Sequence, residues 1–233
     1  MKSKSIITNM IIIVMLAILC VFTTTYNTVN VSSYDNDKII YNGNTQSNNV
    51  TLMINVYEGS EYVNDMIDIF KSYGVNTTFF IGGIWAEKNI ETIAKIIANG
   101  HELGNHGYLH LDHNKLDYNQ NYDEILMCHN IINVYTDYKM KLFAPPSGAF
   151  NNATIQATED LGYLTIMWSK DTIDWRDHDT MLIYQRATNG IKGGDLILMH
   201  PTENTVLALP AILEFYKINN LNVTTVSQNL MIE

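Results

Sequence analysis

The chain has 233 residues, of which 46% are hydrophobic and 16% charged, a composition typical of a globular protein and not of a disordered one. Its 24 acidic and 14 basic side chains give a formal net charge of −10. No nucleic-acid partner is expected, because neutralising phosphates requires a basic surface. With two cysteines, Cys20 and Cys128, the chain has no disulfide framework to stabilise it.

Residues 1–26 have the pattern of an export segment. Lys2 and Lys4 precede an uncharged apolar run at 10–22, which is shorter than the ~20 residues of a transmembrane helix. No small-residue cleavage site follows, so a cleaved signal peptide and an uncleaved membrane anchor both stay open. Either alternative predicts an extracytoplasmic protein, secreted or anchored to the cell membrane. Residues 27–49 are rich in Asn, Ser and Thr and are interpreted as a polar linker.

The folded domain is expected at residues 50–233, where short apolar strands alternate with amphipathic helices. The predicted strands lie at 50–55, 77–81, 102–105, 142–144, 163–167, 195–199 and 222–226. The predicted helices lie at 64–73, 87–99, 122–135, 153–160, 181–187 and 205–216. This alternation of about seven strands with helices predicts an α/β fold with a mostly parallel sheet, either closed into a barrel or open. Both architectures place functional residues at the carboxyl ends of the strands.

A pair of histidines follows the third predicted strand. On a helical or 3₁₀ turn, His106 and His110 would lie on one side, where two imidazoles can share a metal ion. Alone, such a pair is weak evidence, and two surface or core histidines are an alternative interpretation. His101 and His113 lie close by in the sequence and leave open which pair is meant.

A third histidine, His200, ends the apolar strand predicted at 195–199. A histidine there can act as a general acid, because the ordinary pKa of an imidazole lies close to neutral pH. Asp171 and Asp174 follow the preceding strand, and a carboxylate at that place can orient the histidine. For an isolated Asp, capping of a loop or helix is the alternative.

Taken together and in order, these segments resemble the motifs of the polysaccharide deacetylases, carbohydrate esterase family 4. The matching segments are TFF at 78–80, GHELGNHGYLH at 100–110, FAPPSG at 143–148, WSKDTIDW at 168–175 and LMH at 198–200. The resemblance runs from about residue 50 to about residue 231. It implies a distorted (β/α)-barrel of about seven parallel strands in a single domain. It also implies removal of N-acetyl groups from an amino-sugar polysaccharide of the cell envelope, either peptidoglycan or a chitin-like polymer.

The resemblance assigns a role to each of these residues. In the family, one Asp and two His hold a divalent metal, usually Zn²⁺, whose water attacks the acetyl carbonyl, while a second Asp acts as the base. His106 and His110 would be the metal ligands here, and His200 would protonate the departing amine. Asp174 or Asp171 would tune that histidine. The substrate would contact Trp175, Leu198, Pro146 and Tyr108.

The first motif departs from the family pattern. Where the family has Thr-Phe-Asp-Asp-Gly, this chain reads MINVYEG at 53–59. We interpret Asn55 as occupying the base position and Val56 as occupying the position of the metal-binding Asp. Ala144 stands where the family has an Arg that pairs with the base. This pattern resembles a subgroup associated with sporulation or envelope functions in spore-forming bacteria.

Three functions stay open from these residues. The first is a zinc-dependent deacetylase in which Glu58, Glu61 or Asp112 replaces the lost carboxylate ligand. The second is a catalytically inactive glycan-binding protein that keeps the cleft. The third is a hydrolase of a different acyl or carbon–nitrogen substrate.

Overall fold

The computed structural model describes residues 38–232 together with Met10, Val14 and Met15. The predicted export segment and residues 27–37 of the predicted linker therefore lie outside the described residues, apart from those three. Among the described residues, none of the helices combines the length and the apolar character needed to cross a membrane.

Nine short strands within residues 38–232 form one sheet, and all of their pairings are parallel. The order across the sheet is β1-β6-β5-β4-β3-β2-β8-β7, and β9 extends the sheet by pairing with the beginning of β2. The strands are β1 (Ile39–Ile40), β2 (Asn49–Val56), β3 (Thr78–Ile81), β4 (Glu102–Asn105), β5 (Leu142–Phe143), β6 (Leu164–Ile166), β7 (Lys170–Asp171), β8 (Leu196–Met199) and β9 (Asn222–Val223). The sheet curls into a half-barrel, which confirms the predicted distorted (β/α)-barrel.

Most helices connect strands and cover the outer face of the sheet, whereas the last helix packs on the inner side through Val226 and Leu230. The helices are α1 (Ser60–Tyr73), α2 (Gly83–Lys88), α3 (Ile90–Ala98), α4 (Tyr118–Thr136), α5 (Asn152–Asp160), α6 (Thr180–Thr188), α7 (Glu203–Ile218) and α8 (Val226–Leu230). Local sequence sets several of their ends. Asp117 and Asn151 form capping boxes at the start of α4 and α5, because each side chain accepts the N–H of the residue three positions on. Gly74 ends α1 in the left-handed conformation that glycine adopts without steric cost.

Side-chain alternation along β2 separates the core into two layers. Ile54 and Val56 belong to the large apolar cluster between the sheet and the helices. Met53 belongs to a smaller cluster that contains Phe80 and Ala144 and fills the inside of the curved sheet. Because successive side chains of a strand point to opposite faces, Asn55 lies on the same inner face as Met53, at the carboxyl end of the strand.

The structure differs from the sequence-based expectations in several places, among them the short helix α8, which begins at Val226, where the last strand was predicted to end. It adds β1 and β7 to the predicted strands and divides the predicted helix at 87–99 into α2 and α3 at Asn89. The addition of β1 shortens the predicted linker, since Ile39 is only 6% exposed and packs with Ile155 and Met167. Two isoleucines in a polar segment are too short a pattern to predict a strand, and their pairing with β6 depends on tertiary contacts.

Candidate active site

A cavity of about 300 Å³ opens at the carboxyl ends of the strands. It is lined by Asn55, Tyr57, His106, His110, Ser147, Trp168, Asp171, Trp175, Leu198 and His200. The fold therefore brings together residues from five predicted motifs that lie far apart in the sequence, as expected for a parallel α/β architecture. A larger hollow of about 520 Å³ lies near the amino end of β2, and Lys217 is the single charged side chain among its lining residues.

A hydrogen bond to the backbone of Ala144 fixes the orientation of the His106 ring. Its Nδ1 lies 2.7 Å from the carbonyl oxygen of Ala144, which can only accept, so Nδ1 carries the proton. The Nε2 of the same ring is buried and has no hydrogen-bond partner. Burial, and secondarily the nearby His110, hold the pKa of His106 well below its ordinary value. The ring is therefore neutral, with a free lone pair on Nε2.

His110 lies beside His106, with 5.0 Å between the ring centroids. The predicted helical or 3₁₀ turn is wrong, because the two residues lie on an irregular loop in which His110 has a φ of +57°. Backbone curvature of the loop, and not helical periodicity, brings the imidazoles together. His101 and His113 are each buried in the core with their own hydrogen bonds, so the pair in the cleft is His106 with His110.

His200 is held by a fully buried carboxylate. Its Nδ1–H donates to Oδ1 of Asp174 at 2.8 Å, and its backbone N–H donates to Oδ2 at 2.6 Å. The hydroxyl of Thr205 donates to the same Oδ2 at 2.7 Å. Three donors thus satisfy Asp174 and fix the tautomer and the orientation of the imidazole, whose Nε2 is left to interact with a ligand.

Asp171 has a different environment from Asp174. Its Oδ1 accepts the backbone N–H of Ile173 at 2.7 Å, which shapes the turn after β7. It also lines the cavity, and burial raises the pKa of its carboxyl group. Between the two aspartates proposed from the sequence, Asp174 is the one that contacts His200.

Tyr57 follows β2 and lies between the two histidine groups. Its ring stacks on His110 with a centroid distance of 4.0 Å, and it meets His200 edge-on at 6.4 Å. Burial, and after it the negative charges of Glu58 and Asp174, raise the pKa of the Tyr57 hydroxyl. The hydroxyl is therefore protonated at neutral pH and is not available as a base.

Comparison with known proteins identifies the family. A family model described as polysaccharide deacetylase matches residues 42–166, more than half of the chain. The chain belongs to the polysaccharide deacetylase family. The predicted family assignment is thereby confirmed.

Relatives in this family include two bacterial proteins. The chain is 36% identical over 189 residues to the Bacillus subtilis protein YlxY, covering 81% of this chain and 59% of YlxY. It is 29% identical over 175 residues to a peptidoglycan-N-acetylglucosamine deacetylase of Bacillus cereus, covering 72% of this chain and 82% of that enzyme.

Two solved structures of the carbohydrate esterase family 4 share the fold. A family 4 pseudoenzyme from Bacillus anthracis superposes with a TM-score of 0.80 at 33% identity, covering 82% of this chain and 68% of that one. A mutant of it, described as having restored enzymatic activity, gives a TM-score of 0.80 at 32% identity, covering 82% and 71%.

The first deacetylase motif takes a different register in the structure from the one predicted. Val56 is fully buried in the outer apolar cluster, so its position does not face the cleft and is not that of a metal ligand. Aligning the glycine of Thr-Phe-Asp-Asp-Gly with Gly59 places Tyr57 and Glu58 at the two Asp positions, and Asn55 at the Thr. The sequence interpretation was displaced by two residues because it aligned the motif without reference to which side chains face inward.

A metal ion would need a third ligand besides the histidines. Glu58 lines the adjoining cavity of about 150 Å³, and its charge raises the pKa of His110, although burial lowers that pKa more strongly. Asp112 instead caps the 3₁₀ turn His113–Lys115 and pairs with Lys115 at 2.9 Å. Glu61 lies in the first turn of α1 and does not line these cavities. Glu58 is therefore the carboxylate best placed to join the pair.

The side chains of His106, His110 and Glu58 are of the chemical types that bind divalent metal ions. Two neutral imidazoles, one with an unpartnered Nε2, lie beside an acidic side chain, and zinc accepts such ligands. Among the described residues, no three side chains of His, Cys, Asp or Glu are grouped closely enough to hold an ion as they stand. The Glu58 side chain would have to adopt another conformation to bring its carboxylate within reach of an ion held by the two histidines.

The four residues predicted to contact the substrate divide into two pairs. Leu198 and Trp175 line the cavity, and Trp175 is 52% exposed. Pro146 and Tyr108 do not line it: Pro146 is buried at the start of a 3₁₀ turn, and the Tyr108 hydroxyl donates to Glu87 at 2.9 Å.

Sequence analysis assigned no site role to several residues that the structure places there. Ser147 and Trp168 line the cavity. Both lie within the motif segments at 143–148 and 168–175, so the sequence indicated that they are near the site but not which way their side chains point. Thr205 supports Asp174 from the first turn of α7, and no sequence signal connects residues so far apart.

Proposed function

We propose that the protein removes N-acetyl groups from an amino-sugar polysaccharide of the cell envelope, with peptidoglycan as the preferred substrate class. The observation that carries this proposal is the Asp174–His200 pair, which faces the His106–His110 pair across one cavity. The relatives named as peptidoglycan deacetylases support the substrate class and an extracytoplasmic location.

Each half of the cleft would perform one part of the hydrolysis. A water molecule would add its oxygen to the acetyl carbonyl carbon and lose its proton to solvent. A protonated His200 would donate from Nε2 to the amine nitrogen as the carbon–nitrogen bond breaks and acetate is released, while Asp174 holds the imidazole and stabilises its charge. Leu198 and Trp175 would enclose the acetyl methyl group. A divalent metal such as Zn²⁺, when bound by His106 and His110 with Glu58, supplies polarisation of the acetyl carbonyl.

The site lacks a side chain that can act as an effective general base in place of the first Asp of the motif. Tyr57 replaces the first Asp of the motif, and the raised pKa of its hydroxyl prevents it from accepting a proton at neutral pH. Ala144 offers no charge in place of the Arg that pairs with that Asp. Turnover would therefore be slow, because general-base assistance is worth roughly 10²- to 10⁴-fold.

A second function, glycan binding without hydrolysis, is favoured by this same feature. The likeness to a family 4 pseudoenzyme also supports it. In this case the cleft would hold an N-acetylated sugar through Asn55, Trp175 and His200, and no bond would break.

Acetate release from N-acetylated peptidoglycan and from chitooligosaccharides tests the proposal. The chain from residue 35 onward would be measured with Zn²⁺ and with a chelator, beside His200→Ala, His106→Ala and a control outside the cleft, His129→Gln. Metal-dependent release that is lost in the first two variants alone supports hydrolysis. Glycan binding without release in any of these proteins supports the second function, and neither binding nor release refutes both.

A further inference from the structure

The loop that carries His110 has an unusual conformation. Gly107 has a φ of +74° and His110 a φ of +57°, and both lie in the left-handed region. A side chain at Gly107 would be strained there, and its Cβ would lie 3.1 Å from Nε2 of His113 and 3.4 Å from Oε2 of Glu124. The loop is therefore pressed closely against α4 and the turn that precedes it.

Glu124, on α4, contacts this loop directly. Its side-chain oxygen Oε2 accepts the backbone N–H of Tyr108 at 3.0 Å and that of Leu109 at 2.8 Å. Glu124 is only 5% exposed, so both bonds are shielded from water. A buried carboxylate that accepts two N–H groups forms charge-assisted hydrogen bonds, which are stronger than those of a neutral acceptor.

On its other side the loop contacts α2, through backbone hydrogen bonds and through the Tyr108 hydroxyl, which donates to Glu87 at 2.9 Å. The N–H groups of Gly83 and Ile84, in the first turn of α2, donate to the carbonyls of Gly107 and Tyr108 at 2.9 and 3.0 Å. Glu124 thus satisfies the N–H groups of Tyr108 and Leu109, and α2 satisfies the carbonyls of Gly107 and Tyr108. His110 follows directly after the segment held between them.

We propose that Glu124 is the positioning residue for His110, and that it sets the distance and angle at which this imidazole faces His106. This inference rests on the proposed metal-binding role of the two histidines. His106 has its own support in the carbonyl of Ala144, so the two imidazoles are fixed by independent contacts. Removing the Glu124 carboxylate should therefore displace His110 and leave His106 in place.

The test compares Glu124→Gln and Glu124→Ala with the wild type and with Asp123→Asn, a neighbouring exposed carboxylate on the same helix. The glutamine variant keeps the size of the side chain and an acceptor oxygen, so we expect it to keep the fold. Its melting temperature tests that expectation. The imidazole signals of ¹⁵N-labelled protein are recorded without metal. Zn²⁺ affinity is measured by competition with a chromophoric chelator.

We expect the His110 signals to shift in both Glu124 variants, and the His106 signals to shift clearly less, since His106 senses only the displacement of the neighbouring ring. Zn²⁺ affinity should fall by about 10-fold in Glu124→Gln and by up to about 100-fold in Glu124→Ala, the usual range for the loss of a residue that orients a ligand. Unchanged His110 signals in a folded Glu124→Ala protein, or equal shifts of both histidines, would overturn the inference. If the wild type binds no Zn²⁺, the metal role fails, and the imidazole signals still decide what Glu124 positions.

Discussion

Asp174 bonds His200 twice, once through the imidazole Nδ1 and once through the backbone N–H, at 2.8 and 2.6 Å. The carboxylate therefore fixes both the backbone position of His200 and the orientation of its imidazole ring. We expect Asp174→Asn to lower acetate release by about 10²- to 10⁴-fold, because an amide neither selects the tautomer nor stabilises an imidazolium.

The matched control for that change is Asp171→Asn, since Asp171 lines the same cavity but bonds to Ile173 instead. Substrate affinity should be retained in Asp174→Asn, and the loss should appear in kcat. An equal loss in the Asp171 variant would show that the effect reflects general charge in the cleft.

Replacing Tyr57 with a carboxylate should increase turnover. In Tyr57→Asp, a carboxylate would stand between His110 and His200, where it could accept a proton at neutral pH. We expect Zn²⁺-dependent acetate release to rise by roughly 10-fold or more, and by less than the full general-base effect because Ala144 still offers no pairing charge.

Tyr57→Asn separates charge from space, since it removes the same ring without adding a base. Acetate release is measured for both variants on the same oligosaccharide. A rise of equal size in the Asn variant would mean that the tyrosine ring merely blocks the cleft.

Stability should fall on mild acidification because of buried histidines. Burial lowers the pKa of His101 to about 4, below the 6.5 of an exposed imidazole. Between these values the unfolded chain binds more protons, so the stability contributed by the neutral ring is complete above pH ~6.5 and is lost as the pH falls toward 4. The loss is on the order of 3 kcal/mol.

Urea unfolding at a series of pH values measures this contribution. His101→Gln, whose side-chain oxygen can still accept the Thr77 N–H, should show a flatter dependence on pH than the wild type. His178→Gln, at an exposed histidine, should follow the wild type. A steep slope that persists in His101→Gln would assign the acid sensitivity to other groups.

The segment before β2 should be required for full stability. Ile39 is buried, Met167 N–H donates to the Ile40 carbonyl at 2.7 Å, and Gly43 N–H donates to the Gly194 carbonyl at 2.7 Å. A chain that begins at Asn49 should lose about 3 kcal/mol or more relative to one that begins at residue 35, from lost apolar burial and hydrogen bonds. Ile39→Ala should reproduce part of that loss. Equal urea midpoints for the two chains would show that 50–233 folds independently, as the sequence alone suggested.

The repeating strand–helix pattern was sufficient to predict a mostly parallel α/β sheet, since the periodicity of β2, α1 and α3 is strong and local, and the family resemblance added the distorted barrel. The motif segments also indicated His106, His110, His200 and one of Asp171 and Asp174, because the carboxyl ends of parallel strands converge. What the sequence did not determine was orientation. The inward direction of Tyr57 and the burial of Val56 depend on the pleat of β2. A two-residue displacement in aligning one motif therefore assigned to Asn55 and Val56 the two Asp positions that Tyr57 and Glu58 occupy.

The sequence also did not predict the residues that hold the site through contacts distant in the chain. Thr205 and Glu124 contact the site only because α7 and α4 pack where they do. Neither residue occurs in a motif. Their roles follow from tertiary contacts that no spacing in the chain predicts.

The two outermost strands of the half-barrel, β1 and β7, have two residues each. Long unpaired strand edges are templates on which other chains add and aggregate, and very short edges bearing lysine discourage this. β7 also carries Lys170, whose Nζ donates to the Asn189 carbonyl at 2.9 Å. Within the part of the chain that the structure describes, the two edges of the sheet thus offer little backbone for intermolecular strand addition.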